Sequence, residues 1–284
     1  MAEKVSDKFY KQPVFSIIIP HYNRPEKLKR LIDSIPRRSD IEIIVVDDGS
    51  TEYVHTFERF RDNPGRGNVF FFDNHARNKG AGGARNLGVQ NARGKWLIFA
   101  DSDDYFTEGF EWAIYTHKDS EADIVYFDVT SQIEGSTRVG TRHKNYSKRV
   151  HHYLSMGPLK QYREKYLRMR QVTPWAKMIK RSFVEKYALS FEVTPVANDI
   201  MFGVMSGCYA KKIEADDVVV YCVEEGRNSL TVNQSPENKK IRAEVAERYA
   251  EFTMENCTRN ELLYIKIMKY TLEGLLLKKI TGKR

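Results

Sequence analysis

Cysteine is scarce: Cys208, Cys222 and Cys257 are the only three in 284 residues, an odd number without metal-ligand spacing. That argues against a disulfide scaffold or a zinc finger and leads us to expect reduced thiols in a cytoplasm. Long apolar runs are also missing, and no stretch approaches the length of a membrane span. The opening MAEKVSDKFYKQ is polar and mixed in charge, unlike the apolar core of a secretory leader. No glycine-rich run ends in Gly-Lys-Ser/Thr, and none has the glycine spacing of a dinucleotide fingerprint after a strand. Internal repeats and low-complexity tracts are absent. What remains is a globular composition, 41% hydrophobic and 30% charged. The length suits one sizeable core, or one core with a helical appendage.

Charge is present in excess of one sign, at +8, and it is clustered. Between Arg142 and Arg170 nine Lys or Arg residues face a single acid, Glu164, and His143, His151 and His152 lie in the same block. Such a block fits phosphates, nucleic acid or an anionic membrane surface, and it equally fits a solvated helix face.

The first 130 residues alternate apolar runs with helical patterns. Strands are expected at 14–20 (VFSIIIP), 41–46 (IEIIVV), 69–72, 97–100 and 124–129, with helices at 25–35, 51–61 and 81–92. Runs that do not alternate fit strands buried on both faces, and the β-α-β-α order predicts a parallel, doubly wound sheet. In such a sheet ligands bind beyond the carboxyl ends of the strands. The residues at those ends are Pro20-His21-Tyr22-Asn23, Asp47-Asp48-Gly49-Ser50 and Asp101-Ser102-Asp103-Asp104. The last group is the most informative stretch of the chain. Three carboxylates within four positions repel one another unless a cation sits among them, and hard oxygen donors suit Mg²⁺ or Mn²⁺. A solvated acidic turn is the plainer alternative for that group alone.

After residue 131 the alternation breaks into a basic, tyrosine-rich section that resists assignment. A strand at 175–179, helices at 181–187 and 198–209 and a strand at 218–223 follow, and two amphipathic helices are expected between 236 and 279.

Five segments, SIIIPHYNRPEKLKRLIDSI (16–35), EIIVVDDGST (42–51), NKGAGGARNLGVQNARGKWLIFADSDD (78–104), PWAKMIKRSF (174–183) and NDIMF (198–202), together resemble the family 2 glycosyltransferases. The resemblance covers most of residues 14–205. It implies an α/β GT-A fold, Rossmann-like and doubly wound, with a C-terminal helical extension. It further implies a metal-dependent, inverting transfer of a sugar from a UDP-sugar to a glycan, in surface-polysaccharide synthesis. The domain layout expected is an N-terminal tail (1–13), a nucleotide-sugar half (14–130), an acceptor half (131–234) and C-terminal helices (235–284).

Carried over by residue, the resemblance assigns Asp48 to the uracil, whose N3–H a carboxylate accepts. It lays the Tyr22 ring against the base beside Pro20, and brings the helix start at Gly82 and Arg85 close to the nucleotide. Asp103 is then the primary metal ligand for Mn²⁺ or Mg²⁺, with Asp101 and Asp104 assisting, and Asp101 and Ser102 also reach the ribose side. Asp199 is the general base, the family's acidic pair being Asn198-Asp199 here. Trp175, Lys177 and Asn198 line the acceptor side, and Arg227 with Ser229 resembles a late Arg-x-Ser element that closes over the diphosphate.

Each residue also has a structural reading. Asp47-Asp48-Gly49 suits a turn, Tyr22 a core ring, Asp199 a helix N-terminal acid, and Trp175 a core anchor. The basic middle and tail suggest an anionic membrane surface as a partner, with a lipid-linked glycan as acceptor and a cytoplasmic, membrane-peripheral location. Packing of those helices on the core or on a second subunit is the competing reading. A nucleotidyltransferase would need a glycine-rich basic loop after the first strand, which HYNRPEK does not supply. A basic nucleic-acid-binding module would leave the aspartate clusters unexplained, so no nucleic-acid partner is expected.

Overall fold

Ile17, Ile18 and Ile19 are three successive residues with no exposed surface, so both faces of the strand that carries them are covered. That is the mark of a central strand in a sheet layered with helices, and each such side chain contributes about 1.5–3 kcal/mol of burial. The structure is a computed structural model that describes residues 12–74, 80–155, 157, 159–226 and 235–265.

The amino-terminal half follows the expected alternation. Strands β1 (Phe15–His21), β2 (Ile41–Asp47), β3 (Val69–Asp73) and β4 (Trp96–Phe99) are parallel, joined by α1 (Pro25–Asp33), α2 (Val54–Asp62) and α3 (Ala81–Asn91). Pro25 at the first turn of α1 needs no backbone N–H there. Pro20 lies in β1 beyond the point where β4 pairs, since that register ends at Ile18↔Phe99, so its missing N–H breaks no bond on that side. A carboxylate inside β2 is fully answered: Glu42 accepts from Ser16 Oγ at 2.6 Å and from the Arg93 amide and guanidinium.

The rest of the chain completes one mixed sheet. After β4 come β5 (Tyr105–Phe106), α4 (Gly109–His117), β6 (Ile124–Ile133), α5 (Lys144–Leu154) and α6 (Lys160–Arg170). Then follow β7 (Lys177–Lys180), α7 (Arg181–Lys186), α8 (Ile200–Tyr209), β8 (Ile213–Glu225), α9 (Pro236–Glu255) and α10 (Arg259–Ile265). The strand order is β3-β2-β1-β4-β7-β6-β8-β5. Because β7 is antiparallel to both β4 and β6, strands β6 and β8 run in the same direction as β1, β2 and β4. Their carboxyl ends therefore share one edge.

The structure amends the sequence reading in several places, adding β5 and α4 between the expected strands at 97–100 and 124–129. The sheet is mixed and not all parallel, because β7 and β5 enter it in the opposite sense. Strand β8 starts five residues before the expected 218, in an acidic half whose Glu214 and Asp216 both contact His117. The unassigned basic section holds α5 and α6, whose buried stripes are narrow: Tyr146 and Val150 on one, Leu167 to Met169 on the other. Of the expected C-terminal helices, α9 and α10 lie in the described residues, and 266–279 fall outside them.

Helix α8 is pressed onto the chain around α6. A Cβ on Gly203 would lie 2.2 Å from the Val172 carbonyl oxygen, and one on Gly207 would lie 2.0 Å from that of Arg168. Only glycine permits that approach, and it fixes the helix whose amino end carries Asp199.

Candidate active site

The β1 and β2 ends are knitted together by a buried pair. His21 Nδ1 lies 2.8 Å from Asp47 Oδ1, the His21 ring stacks on Phe57 at 4.5 Å, and the Arg24 amide donates to His21 Nε2. Asp47 also accepts from the Ser50 amide and hydroxyl. Burial pushes the Asp47 carboxyl up, but the bonds from His21 and Ser50 outweigh it and hold the group below its ordinary value. Asp47 is thus a brace for the turn, and Asp48 beside it is half-buried. Asp48 accepts from Asn74 Nδ2 at 2.8 Å and from the Gly80 amide at 2.5 Å, which ties β2 to the start of α3.

Asn23 adopts a left-handed φ of 54°, and its side chain accepts from the Thr51 and Glu52 amides. Tyr22, just before it, is turned outward and is 51% exposed, so it is not a core ring.

The loop after β4 splits its acids by environment. Asp101 accepts from Arg85 Nη2 at 2.5 Å, and its amide donates to the Tyr221 hydroxyl. Asp103 stays on the surface, its side chain 38% exposed, with Arg24 3.7 Å away. Partial burial and then the charge of Asp101 push its carboxyl above the ordinary range. Asp104 turns inward and is 3% exposed; its carboxylate accepts from the Glu224 amide at 2.8 Å and bonds the Tyr221 hydroxyl. Burial, followed by repulsion from Asp103 and Asp101, raises its pKa strongly. Ser102 is buried between them.

Across the crevice stands the amino end of α8. Asp199 occupies the N-cap position yet makes no capping bond, and among the described residues its carboxylate is bonded only by its own amide. Burial raises its pKa; Arg85 opposes the shift and Asp101 adds to it. Arg85 links the two sides of the crevice: Nη1 donates to Asn198 Oδ1 at 2.8 Å while Nη2 holds Asp101.

The three residues expected on the acceptor side have other partners. Asn198 is buried, with Oδ1 taken by Arg85 and Nδ2 donated to the Thr194 carbonyl. Trp175 stacks on Tyr146 at 4.9 Å and on Tyr221 at 5.7 Å, within an aromatic column that runs from α5 to the Asp loop. Lys177 is 2% exposed, its ammonium donating to the Gln171 carbonyl and lying 5.1 Å above the Tyr126 ring. Burial lowers its pKa to about 7, with the Asp199 charge acting the other way. Trp175, Asn198 and Lys177 thus each have partners within the protein itself, beside the acceptor role that the resemblance implies for them. At Gly82 the space a Cβ would need holds the Glu192 carbonyl oxygen at 2.0 Å, so this glycine admits the neighbouring loop. Arg227 and Ser229 lie outside the described residues.

As for a metal, no group of three or more His, Cys, Asp or Glu side chains forms a cation site among the described residues. Asp103 and Asp101 nonetheless offer two carboxylates on the crevice, and burial, followed by the neighbouring charge of Asp101, raises the Asp103 carboxyl. That donor set fits a hard divalent cation whose remaining ligands are supplied by a diphosphate. Sequence reasoning missed His21, Arg24 and Arg30, whose partners lie 26 to 194 residues away.

A parallel sheet edge bearing an Asp-Ser-Asp loop, faced by a non-capping carboxylate at a helix start, fits a glycosyltransferase of GT-A type. The chain belongs to glycosyl transferase family 2, whose model matches residues 16–188, more than half its length. It is 34% identical over 108 residues to a glycosyltransferase of Rickettsia bellii, covering 37% of this chain and 15% of the relative. With the glycosyltransferase EpsH of Bacillus subtilis it shares 28% over 195 residues, 63% of this chain and 50% of EpsH. The chain thus spans half or less of the length of these relatives.

Among solved structures, residues 1–349 of S. aureus TarS in complex with UDP-GlcNAc superpose with a TM-score of 0.66 at 20% identity, covering 88% of this chain and 70% of that one. A mannosyltransferase of Pyrobaculum calidifontis, in complex with GDP-Man and Mn²⁺, gives 0.58 at 14%, covering 91% and 70%. At those identities the likeness concerns the fold.

Lys177→Met tests whether the buried amine is structural. Methionine fills the same slot without a buried cation whose one hydrogen-bond acceptor among the described residues is the Gln171 carbonyl, so the thermal midpoint is expected to hold or rise. A fall in stability of about 2 kcal/mol or more, the size of a large core defect, would show the ammonium to be a structural strut.

Proposed function

We propose that this protein transfers a sugar from a UDP-sugar to a hydroxyl of a glycan acceptor, with inversion at the anomeric carbon, in the synthesis of a bacterial surface glycan. Asp199 carries the reading. An aspartate at a helix start normally caps the helix, and this one does not; its carboxylate is left open, with a raised pKa, on the crevice opposite the Asp loop.

In this scheme Asp199 accepts the proton of the acceptor hydroxyl as that oxygen bonds to the anomeric carbon. The bond from that carbon to the diphosphate oxygen breaks, and UDP leaves with the electron pair. Asp48 accepts the uracil N3–H and the exposed Tyr22 ring lies along the base, at the β1 and β2 ends where a nucleotide would enter. Asp103, with Asp101, would hold Mn²⁺ or Mg²⁺, which when bound neutralises charge gathering on the leaving diphosphate. Arg85 keeps Asp101 and the α8 amino end in register. The UDP-GlcNAc complex of the structurally similar TarS supports a UDP-linked donor. The Mn²⁺ complex of the mannosyltransferase supports the cation.

Nucleotide release across a panel of UDP- and GDP-sugars with Mn²⁺ tests the scheme. Metal-dependent release is expected with one UDP-sugar, and Asp103→Ala is expected to abolish that release. Asp199→Asn is expected to cut kcat by about 10²–10⁴, the usual contribution of a general base. Since the base works ionised, kcat/KM should fall as pH drops through the raised Asp199 pKa, an acidic limb above the ordinary aspartate value of about 3.9. Preference for GDP-sugars would overturn the Asp48 assignment, and an acidic limb unmoved by Asp199→Asn would overturn the base.

An anionic membrane face as the place of work has support in α5 and α6. There the exposed Leu154 and Leu159 lie among the exposed Lys144, Lys148 and Lys160. No helix among the described residues is long and apolar enough to cross a membrane. Flotation with phosphatidylserine vesicles at low salt is expected to carry the protein upward and to fail at high salt. Protein left at the bottom of the gradient under both conditions would remove the membrane from the scheme.

A further inference from the structure

Asp103 can serve a donor only if its loop is held still, yet among the described residues no hydrogen bond from another residue restrains its carboxylate, which meets Arg24 as an ion pair at 3.7 Å. The restraint comes through the main chain. Arg30, in the last turn of α1, donates from Nη2 to the Asp103 carbonyl at 2.7 Å and from Nη1 to Glu224 Oε1 at 2.6 Å. Its guanidinium also lies 5.1 Å from the centre of the Tyr105 ring.

Glu224, near the end of β8, is largely withdrawn from water and answers from the other side. Its Oε2 accepts from Lys27 at 2.7 Å, and its amide donates to Asp104 Oδ1 at 2.8 Å. Burial would raise the Glu224 carboxyl, but Arg30 and Lys27 outweigh it and keep the group ionised. Two successive residues of the loop are therefore gripped from two elements: Asp103 at its carbonyl from α1, and Asp104 at its side chain from β8. The grip closes because Arg30 and Glu224 bond each other.

The fork geometry matters. A guanidinium can hold a carboxylate and a carbonyl at once in fixed directions, which neither lysine nor glutamine can reproduce. Glu224 in turn is a carboxylate that depends on its two cations, so removing one disturbs the other contacts.

We propose that Arg30, anchored by Glu224, is a positioning residue that aims the Asp103 carboxylate at the cation and diphosphate of the donor. This rests on the donor site proposed above, and the test separates the two.

Free Mn²⁺ is followed by electron paramagnetic resonance as it is titrated into the full chain with UDP present. Calorimetry measures UDP binding without metal. Wild type is expected to take up Mn²⁺ in a UDP-linked manner, and Asp103→Ala to lose that uptake. Arg30→Gln and Glu224→Gln are each expected to weaken Mn²⁺ binding about 10–100-fold, the range for losing a group that orients a metal ligand. UDP affinity without metal should stay within about twofold, because the base-binding end is untouched. Since both side chains act through one grip, the double variant should be little worse than the weaker single one. Arg30→Lys should recover part of the affinity, as it keeps the ion pair with Glu224 and loses the fork.

Wild-type uptake with both single glutamine variants binding Mn²⁺ as wild type does would overturn the positioning role and leave the donor site standing. No UDP-linked uptake by wild type would overturn both. UDP affinity falling equally with and without metal would mean general collapse of the site, and would also overturn the positioning role. If Arg30→Gln does not fold, Glu224→Gln carries the same expectation at nearly constant volume.

Discussion

Asp47, Asp48, Asp101, Asp103, Asp104, Asp199 and Glu224 gather at or beneath one edge of the sheet, where parallel strands end and helices begin. Like charges at that density repel, and each ionised carboxylate in a low-dielectric setting must be answered or left to rise in pKa. Most are answered individually: Asp47 by His21 and Ser50, Asp48 by Asn74 and Gly80, Asp101 by Arg85, Glu224 by Arg30 and Lys27. Asp104 is buried and raised in pKa. Two stand apart, Asp103 and Asp199, each raised in pKa and each on the crevice. Structure elsewhere is arranged to keep those two available.

That arrangement explains why residues of similar chemistry divide into different tasks. Arg85 and Arg30 are both guanidiniums on helices facing the Asp loop, but Arg85 spans the crevice to Asn198 while Arg30 reaches behind the loop to Glu224. Between them the loop is fixed from front and back. The aromatic column Tyr146–Trp175–Tyr221 supplies the third support, since the Tyr221 hydroxyl bonds both the Asp101 amide and the Asp104 carboxylate. The α8 glycines matter for the same reason: close docking on the chain around α6 determines where Asp199 stands.

Much of this was legible in the sequence where the signal was local. Strands buried on both faces read as continuous apolar runs, and the aspartates that follow them fall at the shared edge because strand direction puts them there. The uncapped state of Asp199 was not legible, since a capping and a catalytic aspartate occupy the same position in a helix pattern. Trp175, Lys177 and Asn198 were placed by resemblance on the acceptor side. Their partners within the protein come from distant elements and leave no local signal, as when Asn198 meets Arg85 from 113 residues away. At Gly82, placed by resemblance near the nucleotide, only the fold reveals that a carbonyl of the loop before α8 fills the space a Cβ would need. The start of β8 was hidden because its acidic residues make no apolar run, although their partner His117 accounts for them.

The central claim is that the Asp103 carboxylate, whose one side-chain partner among the described residues is Arg24 at 3.7 Å, is left for a cation and a diphosphate to complete its surroundings. A crystal structure with UDP and Mn²⁺, with the metal located by its anomalous scattering, tests this most directly. The account predicts a manganese peak within coordinating distance of an Asp103 carboxylate oxygen and of the diphosphate, with the Arg30 bond to the Asp103 carbonyl intact. UDP bound at the β1 and β2 ends with the peak elsewhere, or with Asp103 turned away from it, would contradict the account.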